Sequence, residues 1–204
     1  MFHVKHEAWA LQADRLGVAL GQDQLERLAA YEGLLSRIAV PRGMIAPSDE
    51  ERLWERHLLD SLRAVAEIPA GASVADIGSG AGIPGIPLAI ALPASRFSLI
   101  EPRRARVAFL EAVVDDLRLS NVAVLPAQVE DLGGRFQVCV ARAFSSAPAS
   151  WNAAERLLAT GGILVYWGGE SFDPAVLAEE GVQWRLSTHS DLARTGPLVI
   201  MGPQ

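Results

Sequence analysis

The sequence predicts an α/β protein: a doubly wound, mostly parallel sheet ending in an antiparallel hairpin and preceded by an N-terminal helical cap. Three observations carry this. Apolar residues fall at helical steps through residues 1–68, short β-rich runs alternate with helical stretches from residue 73, and a glycine-rich loop joins the first such run to a helix. The 204 residues exceed one domain of about 150 residues. They divide into a cap, 1–68, and a sheet domain, 69–204. With 50% hydrophobic and 21% charged residues, the chain has material for a packed core and is not disordered.

In the cap, Leu25, Leu28, Leu35 and Ile38 recur at steps of three and seven, which is one face of a helix. Ser48 and Glu51 form an S-x-x-E capping box, after which Trp54, Leu58, Leu62 and Val65 continue the helical spacing. Pro69 and Gly71 end the segment. Strands are expected at Ser73–Ile77, Phe97–Glu101, Val122–Leu125, Gln137–Ala141 and Ile163–Trp167, with a late pair near Val182–Ser187 and Leu198–Met201. Val107, Leu110, Val113, Val114 and Leu117 line an amphipathic helix between the second and third runs. Strands separated by helices pair in parallel, with helices on both faces. The last two runs lack an intervening helix, so they form an antiparallel hairpin at a sheet edge.

Composition removes several function classes. Of the 18 basic residues 17 are arginine, and the only lysine is Lys5. A Walker-type phosphate loop and a Schiff-base enzyme both need a lysine in a setting that Lys5 does not have. Cys139 is the sole cysteine, so no internal disulfide or cysteine zinc cluster can form. No apolar run reaches the ~18 residues of a membrane span. The start MFHVKHEAWA has no apolar h-region, and a soluble, cytoplasmic protein is expected. The net charge of −6 argues against non-specific nucleic-acid binding but leaves room for a local basic patch.

The strongest local signal is the run from Val74 through Asp76, Gly78, Gly80, Gly82 and Pro84 to Gly85. Glycines there permit positive φ and close backbone approach to a ligand, and Pro84 and Pro87 suit a first helical turn. Gly80-x-Gly82-x-x-Gly85 matches a dinucleotide loop, whereas Asp76-x-Gly78-x-Gly80-x-Gly82 resembles the first motif of S-adenosylmethionine-dependent methyltransferases. Glu101 ends the second strand, where either class places a carboxylate for ribose hydroxyls. Asp76, the terminal hairpin and the lack of a second catalytic domain favour the methyl donor. Glu130 or Asp131, after the third strand, could take an adenine amino group.

The fourth strand ends in Ala141-Arg142-Ala143-Phe144 and should face the substrate. It lacks the Asn/Asp-Pro-Pro-aromatic string of amine methyltransferases. Cys139 lies inside an apolar run and suits a core position better than a nucleophile. One lysine cannot supply the tetrad of ribose methyltransferases. What remains is an acceptor nucleophilic without help, such as a purine N7, for which the enzyme mainly holds the reactants in line. Arg142 would position substrate or a cofactor carboxylate. Arg56, His57 and Asp60 fall on one helix face and are candidates for positioning substrate. His3, His6 and His189 are scattered, so no metal constellation is expected. Arg103, Arg104 and Arg106 in the first turns of a helix oppose its dipole, which hints at a phosphate-bearing partner.

Together, Arg56-His-Leu-Leu-Asp60-Ser, the extended loop Asp76-Ile-Gly-Ser-Gly-Ala-Gly-Ile-Pro-Gly-Ile-Pro87, Glu101-Pro-Arg-Arg with Phe109-Leu-Glu, Val129-Glu130 and Ala141-Arg142-Ala-Phe carry a resemblance over most of the chain. The chain resembles the bacterial small-subunit ribosomal RNA guanine-N7 methyltransferases, also called glucose-inhibited division protein B. That resemblance implies a Rossmann-like methyltransferase sheet and transfer of methyl from S-adenosyl-L-methionine to N7 of a guanine in 16S rRNA. It implies cofactor contacts at Gly78, Ile83, Val129, Glu130 and Arg142, beside Gly80, Gly82 and Glu101 of the motifs. The expected partner is 16S rRNA or the small-subunit particle, met by a monomer, with no membrane and no metal. Two strings depart from the family: Gly43-Met-Ile stands where Asn-Leu-Thr is usual, and Trp167-Gly168 where Lys-Gly is usual. If that lysine touches RNA phosphate, either affinity is lower here or arginines supply the contact. An NAD-dependent oxidoreductase and a non-catalytic RNA-binding or ribosome-assembly factor are the competing readings.

Overall fold

A computed structural model describes residues 2–179, 181–188, 192 and 195–203. The cap begins with helix α1 (Phe2–Asp14) and α2 (Gln22–Leu34), which runs on into a π-helical turn, Leu35–Ala39. A 3-10 helix (Pro47–Arg52), a π-helical stretch (Trp54–Leu59), the short α3 (Asp60–Leu62) and a 3-10 turn (Val65–Glu67) lead to the sheet. The expected capping box does not form. The turn starts two residues earlier, at Pro47 with Ala46 as its cap, because proline's fixed φ and absent N–H suit a first helical position.

The sheet has seven strands: β1 (Ser73–Ile77), β2 (Arg96–Ile100), β3 (Val122–Leu125), β4 (Phe136–Arg142), β5 (Leu158–Trp167), β6 (Trp184–Leu186) and β7 (Leu198–Met201). Their order is β3-β2-β1-β4-β5-β7-β6. The first five are parallel, while β7 runs antiparallel between β5 and β6. The late pair is thus the antiparallel hairpin that the sequence suggests, with β6 at the edge. β5 starts earlier than the apolar run Ile163–Trp167: Phe136 pairs with Leu158 and Val138 with Ile163, so a register shift takes up the Thr160-Gly161-Gly162 segment.

Helices α4 (Gly85–Ala91) and α5 (Arg104–Asp116) follow β1 and β2, α6 (Ala147–Glu155) follows β4, and α7 (Ala175–Glu179) follows β5. Alternation along the buried strands divides the core. Val74, Phe97, Leu99, Val140, Val165 and Ile200 face the cap side, packing with α4, α5 and the cap helices, while Ala75, Ile77, Ile100, Cys139, Leu164 and Val199 face α6 and α7. One crossover departs from strict alternation: β3 reaches β4 through only a 3-10 turn, Val129–Asp131. Successive strands step one way from β1 to β3 and the other way from β4 to β5. The switch point, where open α/β sheets bind ligands, therefore lies between the carboxyl ends of β1 and β4.

Candidate functional site

The loop after β1 is held from three sides. The Gly78 and Ser79 N–H groups donate to the Ile100 carbonyl at 3.0 Å each. Tyr31, from α2 and fully buried, donates its hydroxyl to the Ala81 carbonyl at 2.7 Å. Asp76 accepts the Gly85 N–H at 3.1 Å through Oδ2, tying strand end to helix start. A Cβ on Gly85 would stand 2.6 Å from that oxygen, so only glycine lets the helix seat so close. Burial pushes the Asp76 carboxyl up to about 7, and its Oδ1 has no hydrogen-bond partner among the described residues.

Glu101 is also buried and closes the loop's outer side. Its Oε2 accepts the Gly80 N–H at 3.0 Å and its Oε1 accepts the Arg103 N–H at 2.9 Å, while the Arg106 guanidinium lies 3.5 Å away. Each carboxylate oxygen has a second lone pair, so Glu101 keeps acceptor capacity for a ligand hydroxyl.

A cavity of about 280 Å³ opens at the switch point. Gly78, Ser79, Gly80, Ala81 and Ile83 form one wall, Arg106 another, and Arg142 with Ala143 the wall beyond β4; Met44, Ile45, Ala46 and His57 close it from the cap. Of the residues singled out in the sequence, Gly78, Gly80, Ile83, His57 and Arg142 meet here, and Glu101 stands behind Gly80. Gly82 turns the other way, toward Ile86, Leu110 and Tyr31. Val129 and Glu130 line a separate cavity of about 220 Å³ against α6, with Asn152 and Arg156.

Arg56, His57 and Asp60 separate as well. Arg56 and His57 both pair with Asp49, at 3.2 and 3.1 Å, whereas Asp60 pairs with Arg63 at 2.7 Å and Arg142 at 3.2 Å. The i,i+3 and i,i+4 facing expected of an α-helix is lost because Trp54–Leu59 winds as a wider π-helix. Burial, and then the positive charge of Arg142, lower the His57 imidazole to about 4, so it is neutral at pH 7. Arg142 also donates through Nη2 to the Arg56 carbonyl at 2.7 Å, and its Nη1 is buried with no partner among the described residues. Burial lowers the guanidinium's pKa from its ordinary value, with Asp60 opposing that shift.

Sequence reasoning missed Arg63, buried in the middle of this network, which also donates to the Gly196 carbonyl at 2.9 Å. An Asp60–Arg63 spacing of three was the available signal. Ala143 at φ +51° was not legible at all. Trp167 is buried, and its indole N–H donates to the Asp60 carbonyl at 3.1 Å. Cys139 is a core residue whose thiol burial pushes up to about 12, which leaves no thiolate at neutral pH. Among the described residues no three His, Cys, Asp or Glu side chains gather as metal ligands; His189 lies outside those residues. No helix of the described residues is long and apolar enough to cross a membrane.

A family model described as rRNA small subunit methyltransferase G matches residues 24–192. The ribosomal RNA small subunit methyltransferase G of Kineococcus radiotolerans is 41% identical over 159 residues, 76% of this chain and 63% of the relative. That of Corynebacterium diphtheriae is 36% identical over 191 residues, 90% of this chain and 83% of the relative. The chain thus spans less than two thirds of the Kineococcus protein but most of the Corynebacterium one. Among solved structures, a SAM-dependent methyltransferase from Aquifex aeolicus superposes with a TM-score of 0.56 at 17% identity, covering 78% of this chain and all (100%) of that one. At that identity the likeness establishes the fold: a Rossmann-like methyltransferase sheet.

Proposed function

The chain belongs to the rRNA small subunit methyltransferase G family, and from that premise we propose that it transfers a methyl group from S-adenosyl-L-methionine to N7 of a guanine in 16S rRNA. The observation that carries the reading is the cavity at the switch point, with Glu101 behind its Gly80 wall and, on the other side, Arg142, one N–H of which has no partner among the described residues. Those groups fit the methyl donor's two polar ends. Glu101 would accept ribose hydroxyls, and the spare Arg142 N–H would bind the amino-acid carboxylate as a charge-assisted hydrogen bond. Gly78, Gly80 and Ile83 would line the donor's path, while Val129 and Glu130 would bound its adenine end. Arg56, His57 and Asp60 would position the RNA substrate from the cap side.

Bound there, S-adenosylmethionine supplies an electrophilic methyl group on its sulfonium sulfur. The protein's part is then to orient and to exclude water. A purine N7 presents a lone pair and no proton, so the site needs no general base. His57, lowered to about 4, is a weak proton acceptor, and the Cys139 thiol stays un-ionised; both agree with that requirement. The partner on this reading is 16S rRNA or a small-subunit particle, met in the cytoplasm by a monomer.

The test is calorimetric titration with S-adenosylhomocysteine, with NADH as control, followed by transfer of labelled methyl to unmethylated small ribosomal subunits. Saturable binding of the homocysteine compound alone, with label recovered as 7-methylguanine, is expected. Binding of NADH, or label on another atom, would overturn the reading.

A further inference from the structure

A second cavity, of about 350 Å³, lies on the far side of Arg142 and Ala143, the two residues common to it and the switch-point cavity. Its walls include Arg56, Asp60, Trp167, Gly169, Glu170 and Gly196. The size falls in the ~300–1,000 Å³ range of small-molecule sites. It touches none of the glycine loop and adjoins the first cavity at Arg142 and Ala143, where a group seated here would meet a ligand of that cavity.

Most polar groups of this cavity are already engaged. Asp60 holds Arg63 and Arg142, Gly196 accepts from Arg63, Gly169 accepts the Phe172 N–H, and Thr195 donates to the Leu192 carbonyl. Glu170 differs. It is exposed at the rim, with no hydrogen-bond or ion-pair partner among the described residues. Cationic Arg56 and Arg142 and this free carboxylate therefore line one concave site.

That charge pattern has a complement among the nucleobases. Guanine alone presents two adjacent donors, N1–H and the 2-amino group, on its Watson–Crick edge, with O6 and N7 following round the ring. A carboxylate accepts two parallel N–H bonds, and a guanidinium donates to O6. With O6 and N7 toward the Arg142–Ala143 wall, the N1/N2 edge points away from it. On the methyltransferase reading above, we propose that this cavity receives the acceptor guanine and that Glu170 reads its N1–H and 2-amino edge.

The chemistry gives the carboxylate a second use. The N7 lone pair forms the new N–C bond, the C–S pair leaves on the thioether sulfur, and no proton departs from N7. The purine gains one positive charge, which a carboxylate stabilises as it develops.

The experiment uses the full chain and Glu170→Gln, with melting temperature checked to match. The measurements are S-adenosylhomocysteine affinity and kcat/KM for methylation of small subunits carrying either guanine or inosine at the modified position. Inosine keeps N7, O6 and N1–H but lacks the 2-amino group. Glu170→Gln is expected to lower kcat/KM on guanine by about tenfold to a hundredfold, the worth of one bidentate base contact, and to leave S-adenosylhomocysteine affinity within twofold. Inosine should slow the wild type by about tenfold and the variant by less than twofold. Undiminished transfer by Glu170→Gln, or an equal inosine penalty in both proteins, overturns the assignment while the methyltransferase reading stands. Loss of S-adenosylhomocysteine affinity in the variant also overturns it, because Glu170 would then serve the first cavity. A wild type that binds S-adenosylhomocysteine yet transfers no methyl overturns the functional reading, and the inference with it.

Discussion

The Phe144 ring lies against the Cα of Gly78, so a Cβ built on Gly78 would come within 2.6 Å of Phe144 Cδ2. The contact locks the strand end of β4 onto the loop after β1 across the switch point. Gly78 also sits at φ +71°, a conformation that costs a residue with a side chain roughly 1–2 kcal/mol before any clash.

Gly78→Val is therefore expected to abolish S-adenosylhomocysteine binding, because a β-branched side chain cannot share that space with the ring. Calorimetry on the folded variant checks it. Gly78→Ala combined with Phe144→Ala should recover part of the lost thermal stability, since the clash goes while the backbone strain stays. Undiminished affinity in folded Gly78→Val would mean that the loop is not the cofactor's seat.

Asp76 makes stability depend on pH in an unusual direction. Burial raises its carboxyl from about 3.8 unfolded to about 7 folded. Between those values the folded state holds the proton that the unfolded state has lost. Its contribution is thus greatest below pH 4, declines as pH rises toward 7, and is flat above it. Asp76→Asn keeps an oxygen for the Gly85 N–H and removes the titration. The stability of wild type minus variant, from urea midpoints between pH 4 and 8.5, should fall with rising pH and level off near 7. A flat difference would show that Asp76 is ionised throughout.

His57 works in the opposite sense. Its folded value of about 4 lies below the ordinary 6.5, so the folded state releases a proton that the unfolded state keeps. The stability it confers is complete above pH 6.5 and is lost as pH falls through that value toward 4. His57→Gln should flatten this acid limb and leave melting at pH 8 changed by less than the wild type's loss between pH 6.5 and 4.5. Chemical-shift titration of the ring provides the direct check: an apparent pKa above 6 would contradict the buried, Arg142-facing environment.

Much of this architecture was legible in the sequence, for physical reasons that also mark its limit. β1, β3 and β7 matched their apolar runs end to end because turn-forming residues bound them. The glycine loop was legible because a turn straight after a strand needs positive φ, as at Gly78, Gly80 and Gly82, and Glu101 because it directly follows the second strand. The π-helical winding of Trp54–Leu59 was not, since π and α turns share the same apolar spacing over so short a run. That winding sends Asp60 inward to Arg63 and Arg142 while Arg56 and His57 turn to Asp49. The cavity wall shared by Arg142 and Ala143 depends on a positive φ at an alanine, for which sequence gives no warning.

The Asp60–Arg63 pair yields the sharpest test of that hidden geometry. Both side chains are buried, and Arg63 spans from Asp60 to the Gly196 carbonyl, joining the cap to the segment before β7. Removing one partner of a buried pair leaves a charge without its counter-ion, a loss of about 3–5 kcal/mol. Arg142 stays near Asp60 and offsets part of this, so Arg63→Met should destabilise the protein by about 2–4 kcal/mol. Arg63→Met with Asp60→Asn should lose less than the sum of the single changes, because each removes the reason for the other. Arg63 lines the second cavity and not the switch-point one, so S-adenosylhomocysteine affinity should hold near the wild-type value at temperatures where the variant is folded. Additive single and double losses in a denaturation cycle would show that Arg63 and Asp60 do not act as a pair.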